Sequence, residues 1–321
     1  MKASLSLDLD NKWSYMMVHG DPAWQSLPSY IDVVVPRFLE LLDQHGLKIT
    51  VFLVGKDAAM PEHRDALRSI VAAGHEIGNH SHSHLPWMHR GTASEVELEI
   101  VQAEEAIESA TGVRPQGFRG PGYTRSESIL DILARRGYRY DASVLSTWIG
   151  PLARAYYLRS TKLAPEDSER RSELFGSFGD GFGPNRRHVA STRSGEIAVV
   201  PVTTMPLLRV PIHLSYVMHL RTMSRSLARA YVRSALQACK LSGTQPSLLL
   251  HPLDFIGAQE CPELAFFPGM QLPASERVEM ADYFLKAYRS TFEVVPMSEH
   301  AWPARNDRAA APKEVVPGSL G

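Results

Sequence analysis

Cysteine is nearly absent: among 321 residues only Cys239 and Cys261 carry thiols. Neither has a partner at metal-motif spacing, which excludes a disulfide framework and a cysteine zinc site. Both read as structural thiols. An excess of one charge sign is lacking too. A net charge of -1 offers no global basis for nucleic-acid binding. No apolar run reaches the length of a membrane span. No long apolar h-region precedes the first strand, so a cytoplasmic protein is expected. The glycines between Gly176 and Gly183 lack the Lys-Ser or Lys-Thr that would follow a phosphate loop. What is present is ordinary: 44% hydrophobic and 21% charged residues, enough to bury the core of one large α/β domain or two small ones.

Strand-like and helix-like runs alternate. Strands are predicted over Ala3–Leu9, Lys48–Val54, His75–Gly78, Gln116–Arg119, Tyr138–Ser143, Ile197–Thr203, Ser247–His251 and Phe292–Pro296. Between them lie helical patterns. Ile31–His45 has Val34, Val35, Phe38, Leu41 and Leu42 on one face and Gly46 as a stop. Others cover His63–Ala73, Ser126–Arg136 and Ser275–Ser290, and a capping box Ser94-x-x-Glu97 is predicted to open a helix to Ala110. Such alternation implies parallel strands joined by crossover helices, a barrel-like α/β fold. Residues 146–195 break the rhythm and read as an insertion, a flexible loop or lid, and residues 304–321 as a disordered tail.

The polar residues of interest follow strands: Asp8, His80, Arg119, Asp141 and His251. In barrel-like α/β folds, sites are built at the strand ends. Gly78-Asn79-His80-Ser81-His82-Ser83-His84 places His80 and His84 four residues apart, so one helical turn would aim them the same way and His82 elsewhere. Asp8-Leu9-Asp10 places two carboxylates on one side of an extended chain. One carboxylate and two histidines with open positions form a catalytic zinc-type ligand set, leaving the second carboxylate as a general base. Taken singly, each motif has a plainer reading: a polar surface loop for the histidines, a helix or turn cap for the aspartates.

Several segments together resemble the polysaccharide deacetylases, carbohydrate esterases with a NodB-type homology domain. They are Gly46-Leu47-Lys48-Ile49-Thr50-Val51-Phe52-Leu53-Val54-Gly55, Ala73 through His80, Phe118-Arg119-Gly120-Pro121-Gly122-Tyr123, Tyr140-Asp141-Ala142-Ser143 and Leu249-Leu250-His251-Pro252. The resemblance spans most of residues 1–303 and implies a distorted (β/α)-barrel of about seven parallel strands. It further implies that Asp8 is the general base and that Asp10, His80 and His84 hold a divalent metal, zinc above all. Arg119 would hold the base ionised, Pro121 and Tyr123 would lie on the substrate side with a backbone N–H forming an oxyanion hole, and His251 would be the general acid with Asp141 beside it. The first motif departs from the family's Asp-Asp form, being Asp-x-Asp. Amide hydrolysis needs an activated water, a stabilised oxyanion and a proton for the leaving amine, and this residue set offers all three.

The implied function is removal of an N-acyl group, foremost N-acetyl, from an amino-sugar of a glycan or glycolipid. The alternatives are a deformylase of a lipid-linked amino-sugar, an allantoinase-like amidohydrolase, or an inactive sugar- or lipid-binding module. Arg221, Arg225, Arg229 and Arg233 recur every fourth residue, so on one helix they form a basic stripe, either solvated or facing an anionic membrane. Trp13, Trp24, Trp87 and Trp148 read as packing residues, with Trp13 and Trp87 notable for following site motifs. His19, His89, His188, His213 and His219 have no partner at ligand spacing and read as surface or loop residues.

Overall fold

The structure is a computed structural model that describes residues 1–152, 178–302 and 313–315. Its centre is β1 (Lys2–Leu9), whose side chains alternate between two buried environments. Ala3, Leu5, Leu7 and Leu9 enter the main apolar core, while Ser4, Ser6 and Asp8 lie buried on the other face. A strand inside a parallel sheet is covered on both sides, and its sequence is normally apolar throughout. Here one face is polar, and that face leads to Asp8.

β1 pairs in parallel with β2 (Thr50–Leu53), β8 (Ser247–Leu250) and β9 (Glu293–Val295). The sheet continues through β3 (Glu76–Asn79), β4 (Gly117–Phe118), β5 (Tyr140–Asp141) and β7 (Gly195–Val199). The run β8-β1-β2-β3-β4-β5-β7 therefore supplies seven parallel strands, the expected number, in a curled sheet that makes half a barrel. β6 (His188–Thr192) is an addition that sequence did not predict, antiparallel to β7. β10 (Lys313–Val315) pairs with β6, so these three residues of the expected disordered tail form a strand. Residues 153–177 of the expected insertion, and the rest of the tail, lie outside the described residues.

Helices cover the apolar side: α1 (Lys12–His19), α2 (Ile31–Gln44), α3 (Gly55–Ala58), α4 (Arg64–Ala72), α5 (Ala93–Thr111), α6 (Glu127–Arg135), α7 (Leu214–Met223), α8 (Arg225–Leu241), α9 (Ala274–Thr291) and α10 (Met297–Ala301). The apolar stripe of α2 is buried as predicted. The capping box of α5 is shifted by two residues from the expected Ser94–Glu97 frame. Thr92 is the N-cap, its Oγ1 accepts the Glu95 N–H at 3.3 Å, and Glu95 Oε2 accepts the Thr92 N–H at 2.7 Å. Ser94 already has helical geometry and cannot cap.

The arginine stripe is also corrected. Ser224 is extended (φ -163°, ψ 131°) and separates Arg221 on α7 from the other three on α8, so they do not share one helix. All four face α9. Arg221 pairs with Glu276 at 2.6 Å, Arg225 and Arg229 both pair with Glu279, and Arg233 donates to the Tyr283 hydroxyl at 3.2 Å. The guanidinium of Arg229 lies over the Tyr283 ring at 4.7 Å. The repulsion expected along a basic stripe is thus relieved inside the molecule, and the stripe no longer calls for an anionic membrane. Glu279→Gln is expected to lower stability by about 0.5–1 kcal/mol, the scale of a half-exposed ion-pair network. Arg229→Gln is expected to leave co-sedimentation with anionic vesicles unchanged, and salt-sensitive loss of vesicle binding would restore the membrane reading.

Candidate metal centre and active site

A parallel sheet carries the C-terminal ends of its strands to one edge. Asp8 and Asp10 leave β1 there, His80 follows β3, Arg119 follows β4, Asp141 ends β5 and His251 follows β8. No helix positions the two histidines, contrary to the helical turn expected from their spacing. The chain after β3 is irregular, with positive φ at Ser81 (61°) and His84 (50°). These left-handed residues fold the loop back, so that His80 and His84 converge.

Asp10 Oδ1 lies 3.2 Å from His80 Nε2 and 3.1 Å from His84 Nε2. All three residues are buried, and they form a group able to hold a metal ion. Among the described residues Asp10 Oδ1 has no aligned hydrogen-bond donor, although it is buried and two ring nitrogens face it. That arrangement suits a cation better than a hydrogen bond, and one oxygen plus two imidazole nitrogens is a borderline-metal donor set. Burial alone would push the Asp10 carboxyl up, but the His84 and His80 rings outweigh it and hold the group well below the usual carboxylate range. His80 is opposed by its own burial, yet Asp8 and Asp10 push its pKa up. His80 Nδ1 meets the Arg119 carbonyl at 2.6 Å, a contact that fixes the ring and leaves Nε2 for the centre. His82 stands outside the cluster: its ring lies against Gly55, where an added Cβ would meet Nδ1 at 2.8 Å.

Asp8 is held from the interior of the sheet. Arg119, 0% exposed, donates through Nη1 to Asp8 Oδ1 at 2.7 Å and to Ser6 Oγ at 2.8 Å. Its Nε donates to the Ala142 carbonyl at 3.1 Å, and its guanidinium stacks over Phe52 at 4.5 Å. Phe52 in turn needs Gly78, since a Cβ there would sit 2.4 Å from the ring. The second oxygen of Asp8 faces the centre, 3.9 Å from His80 Nε2.

The turn after Arg119 carries Gly122 (φ 57°) and Tyr123 (φ 64°). The Tyr123 N–H, expected in an oxyanion hole, donates to Gly120 O at 3.0 Å in this structure. Burial pushes the Tyr123 phenol far up, with Asp8 reinforcing it, so its hydroxyl stays protonated. Asp141 accepts from Ser143 Oγ at 2.5 Å and faces Arg125 Nε at 3.4 Å. Ser143 Oγ also accepts the Gly120 N–H at 2.8 Å, so Asp141 braces the Pro121–Tyr123 turn. Burial pushes the Asp141 carboxyl up, and Arg125 and Ser143 pull it back.

Further residues surround the site; Trp13 is notable in the sequence for following a site motif, and the others were not anticipated. Asn11 caps α1 and, with Trp13 Nε1, donates to Asp57. Tyr30 donates to the Asp10 carbonyl at 2.5 Å. Trp13 meets His84 edge-on at 6.5 Å, and Lys56 Nζ lies over both Trp13 and Trp24 at 4.6 and 4.5 Å. His213, read as a loop residue, is buried and its ring centre lies 6.1 Å from that of His251. His188 is likewise buried. Asp254, three residues after His251, and Ser215 bond to His251. Only a three-dimensional neighbour relation links Ser215 to the site, whereas the His-Pro-x-Asp spacing of Asp254 was available as a local signal.

The fold is thus a curled, mostly parallel α/β sheet that gathers Asp10, His80 and His84, a group that could hold a metal ion, at its C-terminal edge. Residues 24–140, about a third of the chain, match the family model "Polysaccharide deacetylase". Asp8, Asp10 and His251 fall outside the matched segment. The chain is 30% identical over 128 residues to a peptidoglycan deacetylase of Helicobacter pylori, 40% of this chain and 41% of that protein. It is 35% identical over 104 residues to a chitooligosaccharide deacetylase of Bradyrhizobium sp., 32% of this chain and 46% of that protein. The matches thus span less than half the length of these relatives. The fold matches the crystal structure of a candidate polysaccharide deacetylase from Mycobacterium smegmatis with a TM-score of 0.59 at 19% identity, covering 94% of this chain and 89% of that one.

Proposed function

We propose that this protein is a divalent-metal-dependent hydrolase, with zinc as the native ion, that removes an N-acetyl group from an amino-sugar of a glycan. The observation that carries the reading is the convergence of Asp10 Oδ1 on His80 Nε2 and His84 Nε2 beside a carboxylate, Asp8, that is not needed as a ligand. Asp10, His80 and His84 would hold the ion, which when bound makes water a better nucleophile and polarises the acyl oxygen. Asp8 takes the proton of the attacking water, held in place by Arg119. As the C–O bond forms and the C–N bond breaks, His251 gives a proton to the leaving nitrogen, so acetate and a free amine result. Deacetylation as the named activity of the H. pylori and Bradyrhizobium relatives supports the choice of acyl group and of sugar substrate. No helix among the described residues is long and apolar enough to cross a membrane. A cytoplasmic location is part of the proposal, and cell fractionation reads it.

The test is metal content and acetate release from chitooligosaccharides. His80→Ala is expected to lose bound metal and about 10³-fold or more of activity, whereas His82→Ala keeps both. Equal metal loss in the two variants would overturn the ligand assignment, and full activity in chelator would overturn the metal dependence. A metal-loaded protein that binds the sugar and releases no acyl group would be the inactive binding module.

A second reading, a glycolipid substrate, is favoured by one surface feature. Trp148, Phe178, Gly181, Phe182, Leu207 and Arg209 line an opening of about 260 Å³. Leu207 is 97% and Phe182 82% exposed, while Arg209 Nη1 is buried with no hydrogen-bond partner among the described residues. Apolar walls around this guanidinium nitrogen suit a lipid-linked phosphate bearing an amino-sugar, including an N-formyl one. Leu207→Ser with Phe182→Ser is expected to lower turnover of a lipid-linked substrate and leave a soluble oligosaccharide unaffected. Equal effects on both would remove this reading.

A further inference from the structure

We infer that Ser215 and Asp254, rather than Asp141, are the positioning residues of His251, fixing Nδ1 as its protonated nitrogen and leaving Nε2 for the substrate. The catalytic meaning of this rests on the proposed hydrolysis, but the geometry stands apart from it. Asp254, 0% exposed, accepts the His251 N–H through Oδ2 at 2.8 Å and lies 3.1 Å from Ser215 Oγ through Oδ1. Ser215 Oγ is 3.1 Å from His251 Nδ1. A hydroxyl has one proton, and an ionised carboxylate can only accept. Ser215 therefore donates to Asp254 and offers a lone pair to His251, which demands Nδ1–H.

Each link of this chain is braced. Ser215 is carried in the first turn of α7, and the Asp254 N–H donates back to the His251 carbonyl at 2.9 Å. Burial, the largest influence, leaves the Asp254 carboxyl raised on balance, with His251, Arg277 and the two donors opposing it. Arg277 is buried and donates to the Leu253 carbonyl at 2.7 Å and to that of Gly269, tying down the segment that carries Asp254. His213, just before α7, also faces His251, with ring centres 6.1 Å apart. His213 is pushed down to about 3 by burial, His251 and Arg119, and stays neutral, and Tyr216, edge-on to the His213 ring, is pushed up by burial. Asp141 is already committed to Ser143 and Arg125. With Nδ1–H retained, His251 gives the Nε2 proton to the leaving nitrogen and ends as the neutral Nδ1–H ring, with no ring flip and no change of partner.

The experiment reads tautomers by ¹⁵N imidazole spectroscopy of the metal-loaded protein at alkaline pH, with the His251 signals among 13 histidines identified by His251→Gln. The wild type is expected to show neutral His251 protonated at Nδ1. Ser215→Ala and Asp254→Asn should shift it toward Nε2–H, while Ser215→Thr and Asp141→Asn should not. On chitooligosaccharides, Asp254→Asn and Ser215→Ala should each lower kcat by about tenfold to a hundredfold with KM little changed, and Ser215→Thr should restore it. Hydrolysis of p-nitrophenyl acetate, whose leaving group needs no acid, should change by about twofold or less. A tautomer unmoved in both Ser215→Ala and Asp254→Asn, or moved by Asp141→Asn, overturns the inference. Equal losses on amide and ester overturn it as well. If the wild type cleaves no amide yet the tautomers move as expected, the positioning stands and the proposed function fails. Should Asp254→Asn not fold, the Ser215 pair of variants decides the matter alone.

Discussion

Asp8→Asn is expected to lower chitooligosaccharide deacetylation by about 10²–10⁴-fold, the range of a lost general base, while bound metal stays at the wild-type ratio. The substitution keeps the shape of the side chain, and its amide oxygen can still accept the Arg119 Nη1 hydrogen bond now made at 2.7 Å. The proposed metal cradle is untouched, because its three candidate donors, Asp10, His80 and His84, do not include Asp8. What disappears is the oxygen that faces the centre from 3.9 Å and can take a proton. KM should move little, because the base acts in the transition state rather than in binding. Parallel metal analysis and kcat measurement separate this outcome from ligand loss. A variant with undiminished turnover would remove Asp8 from the role of base, and one that lost metal would make it a ligand.

The contrast between Asp8 and Asp141 shows which parts of such a site a sequence discloses. Asp8, Asp10, His80, Arg119 and His251 were legible because each follows a run whose alternation marks a strand, and parallel strands deliver their ends to one edge. The eight strand segments read from the same periodicity are all found in the sheet, whereas the count of about seven came from the family resemblance. The route by which His80 and His84 meet was not legible: their spacing fits a helical turn, but the chain uses two left-handed residues, which spacing cannot reveal. Ser143, two residues from Asp141, was a local signal, but spacing could not show that Arg125 faces Asp141, or that Ser215, 36 residues before His251, reaches its ring. Such contacts depend on how separate segments pack over the sheet. The arginine stripe failed for the same reason, since its glutamate partners lie about 50 residues away on α9. β6 was missed because its residues, His188-Val189-Ala190-Ser191-Thr192, carry no run of large apolar side chains.

Arg119→Met is expected to destabilise the fold by about 3–5 kcal/mol, the scale for stranding a buried charge. The guanidinium is the partner of Asp8 Oδ1, and it also satisfies Ser6 Oγ and the Ala142 carbonyl from inside the sheet. Methionine would fill much of the volume against Phe52 and Met297, so the loss should arise from electrostatics and hydrogen bonding rather than from a cavity. The pair can be isolated by a double-mutant cycle. If Asp8 and Arg119 chiefly serve each other, Asp8→Asn combined with Arg119→Met should be more stable than Arg119→Met alone, because the stranded carboxylate is gone. Denaturant unfolding of the wild type, both single variants and the double variant measures the coupling. Simple additivity would mean that Arg119 stabilises the fold through Ser6 and Ala142 and not through Asp8. Activity completes the argument: the double variant should regain stability without regaining turnover, since the restored balance of charge does not restore a base. Recovery of both would show that the pair acts on catalysis only through folding.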